Sequence, residues 1–264
     1  MTKPLIPAER RKRIQDYLSL HQVVQSAVLS EMLNVSEATT RRDLEWLEAQ
    51  GLVERTHGGA RLSQRMRLEP AYASSAQAHP SEKHLIGQMA AQLIEDGDTI
   101  FVNSGTTTTQ VVRHIPPQAK VTLITNNVTA ALEAQSAHYE IILLGGSFRA
   151  IARSVVGRFA TAALRQVYAS KAFIGTDGLS AKHGCTTPTS AEAEITQLMI
   201  ERTRGPVIVV ADSSKWGVVS NYELAALEQI HTLVTDAQFD AAARAELAQH
   251  TIEVLIATRA INVN

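Results

Sequence analysis

Two short stretches of this 264-residue chain carry side chains whose types and spacing can do chemistry. The first is NSGTTTTQVV, Asn103 to Val112, placed where an apolar run meets a helical one. Small residues at such a junction let backbone N–H groups and hydroxyls converge on an anion at a helix N-terminus. The stretch lacks the lysine of a P-loop and the spacing of GxGxxG, so it points to a phosphate monoester rather than a nucleoside triphosphate or dinucleotide. Ser, Gly and Thr also cap helices with no ligand present, and the residues alone leave both readings open. The second stretch, within residues 34–60, crowds Ser36, Glu37, Thr39, Thr40, Arg41 and Arg42 onto the start of one helical segment. Guanidinium groups can grip phosphate or guanine bidentately, and hydroxyls can bond phosphate. The alternative is a solvated helix face with an i, i+4 pair between Arg41 and Glu45.

Other chemistry is poorly supplied. Asp177 in GTDG is one acid, whereas proton-transfer isomerisation needs a poised base together with a group that stabilises the enediolate. Glu192 and Glu194, in TSAEAEI, could in principle supply a base, but the stretch reads rather as a solvated helix start. The nine histidines are scattered, without HExxH or a paired ligand spacing. The single cysteine, Cys185, excludes an intramolecular disulfide and any multi-cysteine zinc site, and reads as a buried or incidental thiol. The expectation is no catalytic residue, no metal and no cofactor.

The elements that must position these stretches fall into two groups. An apolar content of 45% over this length suits a small domain beside a large one. Net charge is −1, and residues 1–61 carry nine Lys plus Arg against eight Asp plus Glu, so bulk charge does not single out a polyanion partner. The distribution says more: ERRKR (Glu9 to Arg13), Arg41, Arg42, Arg55 and Arg61 fall at segment ends able to meet phosphates. There is no signal peptide and no apolar run near the roughly 18 residues of a membrane span, so a cytoplasmic location without membrane contact is expected.

Helical spacing predicts a helix over Pro7–Leu20, a second over Ser26–Leu33 capped by Ser26, and a third capped by Ser36 and ended by Gly51. The third would bury Ala38, Leu44, Trp46 and Leu47. Two extended pieces around Gly58 and Gly59 complete the outline of a winged helix-turn-helix over residues 1–62. Residues 63–80 lack a clean period and read as a linker. From Ser81 to residue 264, near-continuous Val, Ile and Leu runs alternate with helices: TIFVNSG, VTLITNN, YEIILLGG, KAFIGTDG, PVIVVAD, TLVTD and IEVLIAT. Such runs predict strands buried on both faces of a largely parallel sheet, an α/β domain whose ligands bind outside the strand carboxyl ends.

The stretch VSEATTRRDLEWLEAQGLVERTHGGA resembles the amino-terminal signature of the DeoR-type bacterial transcriptional regulators, from about Glu9 to Ala60. That resemblance implies operator contacts from Ser36, Thr39, Thr40, Arg41 and Arg42, with Arg55, His57 and Gly58 in the wing. SEKHLIGQMAAQLIEDGDTIFVNSGTTTTQ, LITNN, LLGGSFR, KAFIGTDGLSAKHGCTT and VVADSSKWG are similar to the family's effector domain, related in fold to ribose-5-phosphate isomerase. On that likeness a phosphate cradle runs over Ser104, Gly105, Thr106, Thr107 and Thr108, with Asn126, Gly145, Gly146, Arg149, Asp177, Gly178 and Lys215 around the ligand. Two departures change local charge: Asn103 stands where the family often has Asp, and Ser75 where it often has Arg.

The expectation is a DNA-binding regulator, a repressor of carbohydrate genes, with double-stranded operator DNA and a phosphorylated sugar or sugar acid as partners. Two half-sites require a homo-oligomer, dimer or tetramer, joined through the α/β domain. The alternatives are a sugar-phosphate isomerase with a DNA-binding appendage, or a metabolite-binding scaffold indifferent to nucleic acid.

Overall fold

A computed structural model describes residues 6–258 except 22, 50–52, 57, 63–68 and 135. The chain divides into two compact units that meet in sequence at Leu68 and Glu69.

The first unit runs α1 (Pro7–Leu20), β1 (Val24–Gln25), α2 (Ser26–Leu33), α3 (Glu37–Ala49), β2 (Val53–Thr56) and β3 (Gly59–Leu62). Pro7 opens α1, where its fixed φ suits a helix start and its missing N–H costs no bond. Ser26 is the first residue of α2 rather than its cap, and Gln25 in the cap position makes no side-chain bond. The helix stops at Asn34, which adopts the left-handed conformation at φ 53°. The strands form an antiparallel sheet in the order β1-β3-β2. The two-residue strand β1 gives no periodic signal and emerges only from pairing. It demands Gly59, since a Cβ there would stand 2.2 Å from the Val24 carbonyl oxygen. Ile14, Leu18, Leu29, Leu33, Leu44, Leu47 and Val53 share one core. Ala38 and Trp46, expected inside, are exposed. The inward face of α3 instead holds Thr40 and Asp43 with Leu44 and Leu47.

The second unit begins inside the stretch read as a linker. Residues 69–80 belong to it, and helix α4 (Tyr72–Gln77) buries Tyr72. The Tyr72 hydroxyl donates to Thr109 Oγ1 at 2.9 Å and its N–H to the Ile151 carbonyl at 2.8 Å. Six residues are too few to show a helical period, so this docking escapes sequence patterning.

Thereafter come α5 (Pro80–Ala91), β4 (Thr99–Val102), α6 (Thr106–Arg113), β5 (Thr122–Thr125), α7 (Val128–Glu133) and β6 (Glu140–Leu143). The hairpin β7 (Ser147–Arg149) and β8 (Ser154–Val156) leads to α8 (Arg158–Leu164) and β9 (Lys171–Gly175). Strands β10 (Gly178–Ser180) and β11 (Gly184–Thr187) precede α9 (Ser190–Glu201), β12 (Val207–Val210) and β13 (Tyr222–Ala225), and β14 (Thr232–Asp236), α10 (Ala241–Gln249) and β15 (Glu253–Ala257) finish the unit.

The seven apolar runs are the seven strands of one parallel sheet, ordered β15-β14-β12-β9-β4-β5-β6. Successive side chains serve opposite faces. Ile100 and Val102 pack with α5 and α6, and Phe101 packs on the other side with α8 and α9. The antiparallel additions β10-β11-β13 and β7-β8 were not expected, because strands of three or four residues leave little pattern. The edge strand β6 departs from two-sided burial, leaving Ile142 and Leu143 partly exposed.

Chain order reverses between β4 and β9, the switch point outside which open α/β sheets bind ligands. Helices α5 and α6 flank it and approach closely at Gly87, where an added Cβ would lie 2.5 Å from the Gln110 backbone carbon. Gly87→Ala is therefore expected to destabilise the protein by about 1–3 kcal/mol through overpacking, read as a lower urea midpoint. An unchanged midpoint would show that the two helices part freely.

Candidate functional site

In the first unit, α3 offers an outward row and an inward one. Ser36 caps the helix, its Oγ accepting the Thr39 N–H at 3.3 Å and lying 2.9 Å from Thr39 Oγ1. Arg41 and Arg42 are exposed, and no ion pair joins either to a described residue, so the Arg41–Glu45 pair does not form. Thr40 corrects the sequence reading: it is fully buried, its Oγ1 accepts from Ser30 Oγ at 2.9 Å, and it fixes α2 against α3 instead of facing outward. Arg10 and Arg11, read as phosphate-seeking, instead hold the buried Asp43 at 2.7 and 3.0 Å. The Arg11 guanidinium also lies 4.1 Å from the centre of the Trp46 ring. In the wing, Gly58 is exposed at φ 82°, a turn conformation open to glycine, and Arg55 sits half-buried on β2, its Nε without a partner among the described residues. His57 lies outside the described residues.

In the second unit a cavity of about 750 Å³, its open mouth included, lies outside the ends of β4 and β9. Its floor is the β4–α6 junction. Asn103 is buried and clamps the two strands: its amide donates to the Gly175 carbonyl at 3.0 Å and to Thr196 Oγ1 at 3.2 Å, and its Oδ1 accepts the Gly175 N–H at 2.8 Å. An ionised Asp could not supply the two donations, so the amide at this position has a structural use. Gly105 follows at φ 152°, outside the reach of most side chains, and turns the chain into α6. The first N–H groups of that helix have no intrahelical partner.

Of the residues assigned to an effector, Ser104, Gly105, Thr106, Thr107, Asp177 and Lys215 line this cavity. Thr108, Asn126, Gly145, Gly146 and Gly178 do not. Thr108 is fully buried and bonds the Asn103 and Gly105 carbonyls at 2.9 and 3.1 Å, which shapes the turn from behind. Asn126, also sealed, donates to the Val155 carbonyl at 3.2 Å and to Glu192 at 3.4 Å, and its buried Oδ1 lacks a described partner. Gly145 and Gly146 are exposed, and a Cβ at Gly146 would stand 2.6 Å from the Val156 carbonyl oxygen, so it serves the hairpin. Gly178 is hemmed in likewise: an added Cβ would stand 2.4 Å from the Val218 carbonyl oxygen.

The structure also brings in residues that the sequence reading missed. Glu192, read as solvated, is buried at 6% exposure. Its carboxylate accepts from Ser104 Oγ at 2.7 Å, Arg149 at 2.9 Å, Asn126, and Ser154 Oγ. Arg149 meets the cavity through two of its lining residues, Glu69 and Glu192. Both carboxylates hold its guanidinium charged, against the opposing effect of burial. Ser75 lines the cavity, and its carbonyl accepts from Lys83 Nζ, as does that of Ala78 at 2.7 Å. Burial and the nearby Lys215 lower the Lys83 ammonium from 10.5 to about 8. Glu192 and Lys83 were legible as charges but not as interior ones, because their partners come from distant segments.

No group of three His, Cys, Asp or Glu able to hold a metal occurs among the described residues. Cys185 is buried, and desolvation pushes its thiol up to about 12, far from a reactive thiolate. No helix among the described residues is long and apolar enough to cross a membrane.

Residues 10–66 match the DeoR-like helix-turn-helix domain and residues 78–237 the DeoR C terminal sensor domain. The HTH-type transcriptional regulator GlpR of Haloferax volcanii is 34% identical over 95% of this chain and 98% of its own. The HTH-type transcriptional repressor GlcR of Bacillus subtilis is 34% identical over 86% and 88%, and the lactose phosphotransferase system repressor of Lactococcus lactis 32% identical over 92% and 96%. Among solved structures, a D-ribose-5-phosphate isomerase in complex with phospho-erythronic acid overlaps 52% of this chain and 54% of its own at 18% identity and a TM-score of 0.39, too slight to bear on function. With both of its units matched and whole-length relatives above 30% identity, the chain belongs to the DeoR family of helix-turn-helix transcriptional regulators.

Proposed function

We propose that this protein is a cytoplasmic repressor of carbohydrate-utilisation genes, and that a phosphorylated sugar or sugar acid in the cavity between the ends of β4 and β9 controls its hold on operator DNA. The observation that carries the proposal is the cavity itself. A helix N-terminus, the hydroxyl-bearing Thr106 and Thr107, and the cations Lys83 and Lys215 line one space with Ser104 at its floor. N–H groups and hydroxyls suit a phosphoryl group, and the two ammoniums offset its charge. Asp177, whose carboxylate accepts from Thr187 at 2.9 Å, remains to bond sugar hydroxyls. Repressor names among the relatives support the sign of regulation.

Arg41 and Arg42, exposed on α3, are the proposed DNA contacts, together with Ser36, Thr39, and Arg55 and Gly58 of the wing. Two half-sites call for at least a dimer. We place its contact on β6, the last strand of the sheet, where Ile142 and Leu143 face solvent. We read the protein as a regulator without catalytic turnover: the buried Glu192 is saturated by donors and does not stand free as a base.

The deciding experiment measures binding to DNA from the gene's own upstream region at fixed salt, with and without a panel of sugar phosphates. Specific binding altered by one compound is expected, and consumption of a compound without specific binding would favour the enzyme instead. Arg41→Ala should weaken operator binding by about 1–3 kcal/mol and relax the preference at one position if it reads a base. Equal loss on every sequence would assign it to phosphate.

Lys83 brings a pH dependence. Because its folded pKa of about 8 lies below the ordinary 10.5, the cavity loses a positive charge as pH rises through 8. In the window between those values the unfolded chain binds the extra proton, so this group's contribution to stability grows with pH while anion affinity falls. Calorimetric affinity for sulfate, whose own charge is constant, should decline from pH 7 to 9, and Lys83→Gln should flatten the profile. A decline that persists in the variant would assign the titration elsewhere. Leu143→Glu should shift the sedimentation coefficient towards a monomer, and an unaltered coefficient would remove β6 from the contact.

A further inference from the structure

The carboxylate of Glu69 grips the Arg149 guanidinium in fork-to-fork fashion: Nη1 donates to Oε1 at 2.8 Å and Nη2 to Oε2. That is the geometry in which arginine takes a phosphate or carboxylate ligand. Glu69 also lines the cavity. We propose that Glu69 is a built-in competitor for the effector: its carboxylate fills an anion subsite on Arg149 and leaves when the phosphate or carboxylate of the effector enters, freeing the chain where it enters the α/β unit. This inference rests on the reading of the cavity as an effector pocket.

The two carboxylates on Arg149 are not equivalent. Glu192 belongs to α9 and is held by donors from the β4–α6 turn, the end of β5, β7 and β8, so it cannot leave without unmaking the interior. Glu69 is bonded to Arg149 alone among the described residues, and lies at the first position of the unit. Arg149 can release Glu69 and still be neutralised by Glu192 at 2.9 Å.

Electrostatics favours that exchange. Ser104, in the cradle, and Arg149 donate to opposite oxygens of the same Glu192 carboxylate, so an anion in the cradle lies close to the Glu69 site. Glu69, Glu192 and Asp177 already line the cavity, and a dianion arriving there competes for the guanidinium and repels the one carboxylate that is free to go.

The resulting movement has a defined limit. Tyr72 is pinned by its hydroxyl to Thr109 on α6 and by its N–H to Ile151, while Pro70 and Ala71 are exposed between it and Glu69. Displacement of Glu69 therefore swings residues 69–71 about a fixed Tyr72. Those residues follow directly on the stretch that joins the α/β unit in sequence to the winged helix. A ligand alters a conformational equilibrium only by interacting differently with its two states, and exchange at Arg149 supplies that difference.

The test is calorimetric titration of inorganic phosphate into the full-length protein, its Glu69→Gln and Glu69→Ala variants, and Glu69→Gln combined with Arg149→Gln, with melting temperatures recorded for each. If the subsite is closed about nine-tenths of the time, removing the competitor should raise phosphate affinity about tenfold, and Arg149→Gln should abolish the gain. Without phosphate, Glu69→Gln should bind upstream DNA as the parent does when phosphate saturates it. Equal phosphate affinity in the parent and in folded Glu69 variants would overturn the competitor while leaving the pocket standing. Failure of every variant to bind either phosphate or any sugar phosphate would overturn the pocket reading as well.

Discussion

A carboxylate sealed in an interior must be surrounded by donors, and the α/β unit is organised around one that is. Glu192 sits in the first turn of α9 at 6% exposure, and takes hydrogen bonds from Ser104, Asn126, Arg149 and Ser154. An ionised group left without these partners would cost several kcal/mol, so its burial and its bonds stand or fall together. In satisfying it the chain gathers the β4–α6 turn, the end of β5 and the β7-β8 hairpin at one point. The cavity is the space that remains in front of that point.

Around it the site follows from how parallel strands end. Where chain order reverses between β4 and β9, the connections leave in opposite directions and open a crevice. Asn103 ties the two strand ends together through hydrogen bonds of its side-chain amide with the Gly175 backbone and with Thr196 of α9. Tyr72 then roofs one side through Thr109 on α6. The start of α6, the segment around Tyr72 and the buried carboxylate are thus joined through a few directional bonds.

The winged helix divides its charge in a comparable way. Asp43 draws Arg10 and Arg11 onto α3 and leaves Arg41 and Arg42 at the surface. One pair of arginines positions the helix against α1, and the other stays exposed to solvent. Thr40 and Ser30 lock α2 to α3 from inside.

Much of this was legible in the chain. Val, Ile and Leu runs between turn residues specify buried parallel strands, so all seven strands of the sheet, the three amino-terminal helices and the junction between β4 and α6 could be placed from local pattern. The helix start at Thr106 follows from the small residues before it, because only they permit that turn. Contacts between distant segments lay beyond reach. Glu192 and Lys83 look like surface charges until Arg149, Ser154 and the Ser75 carbonyl are brought to them, and Trp46 looks like core until Arg11 covers its outer face. Thr40 and Arg41 are neighbours of similar polarity in the sequence, yet one is buried and the other exposed, because a helix turns about 100° per residue and α2 covers one of those directions. Local sequence determines which elements form and which face of each is apolar. Only tertiary packing decides which charges lose water, since that depends on what the rest of the chain lays over them.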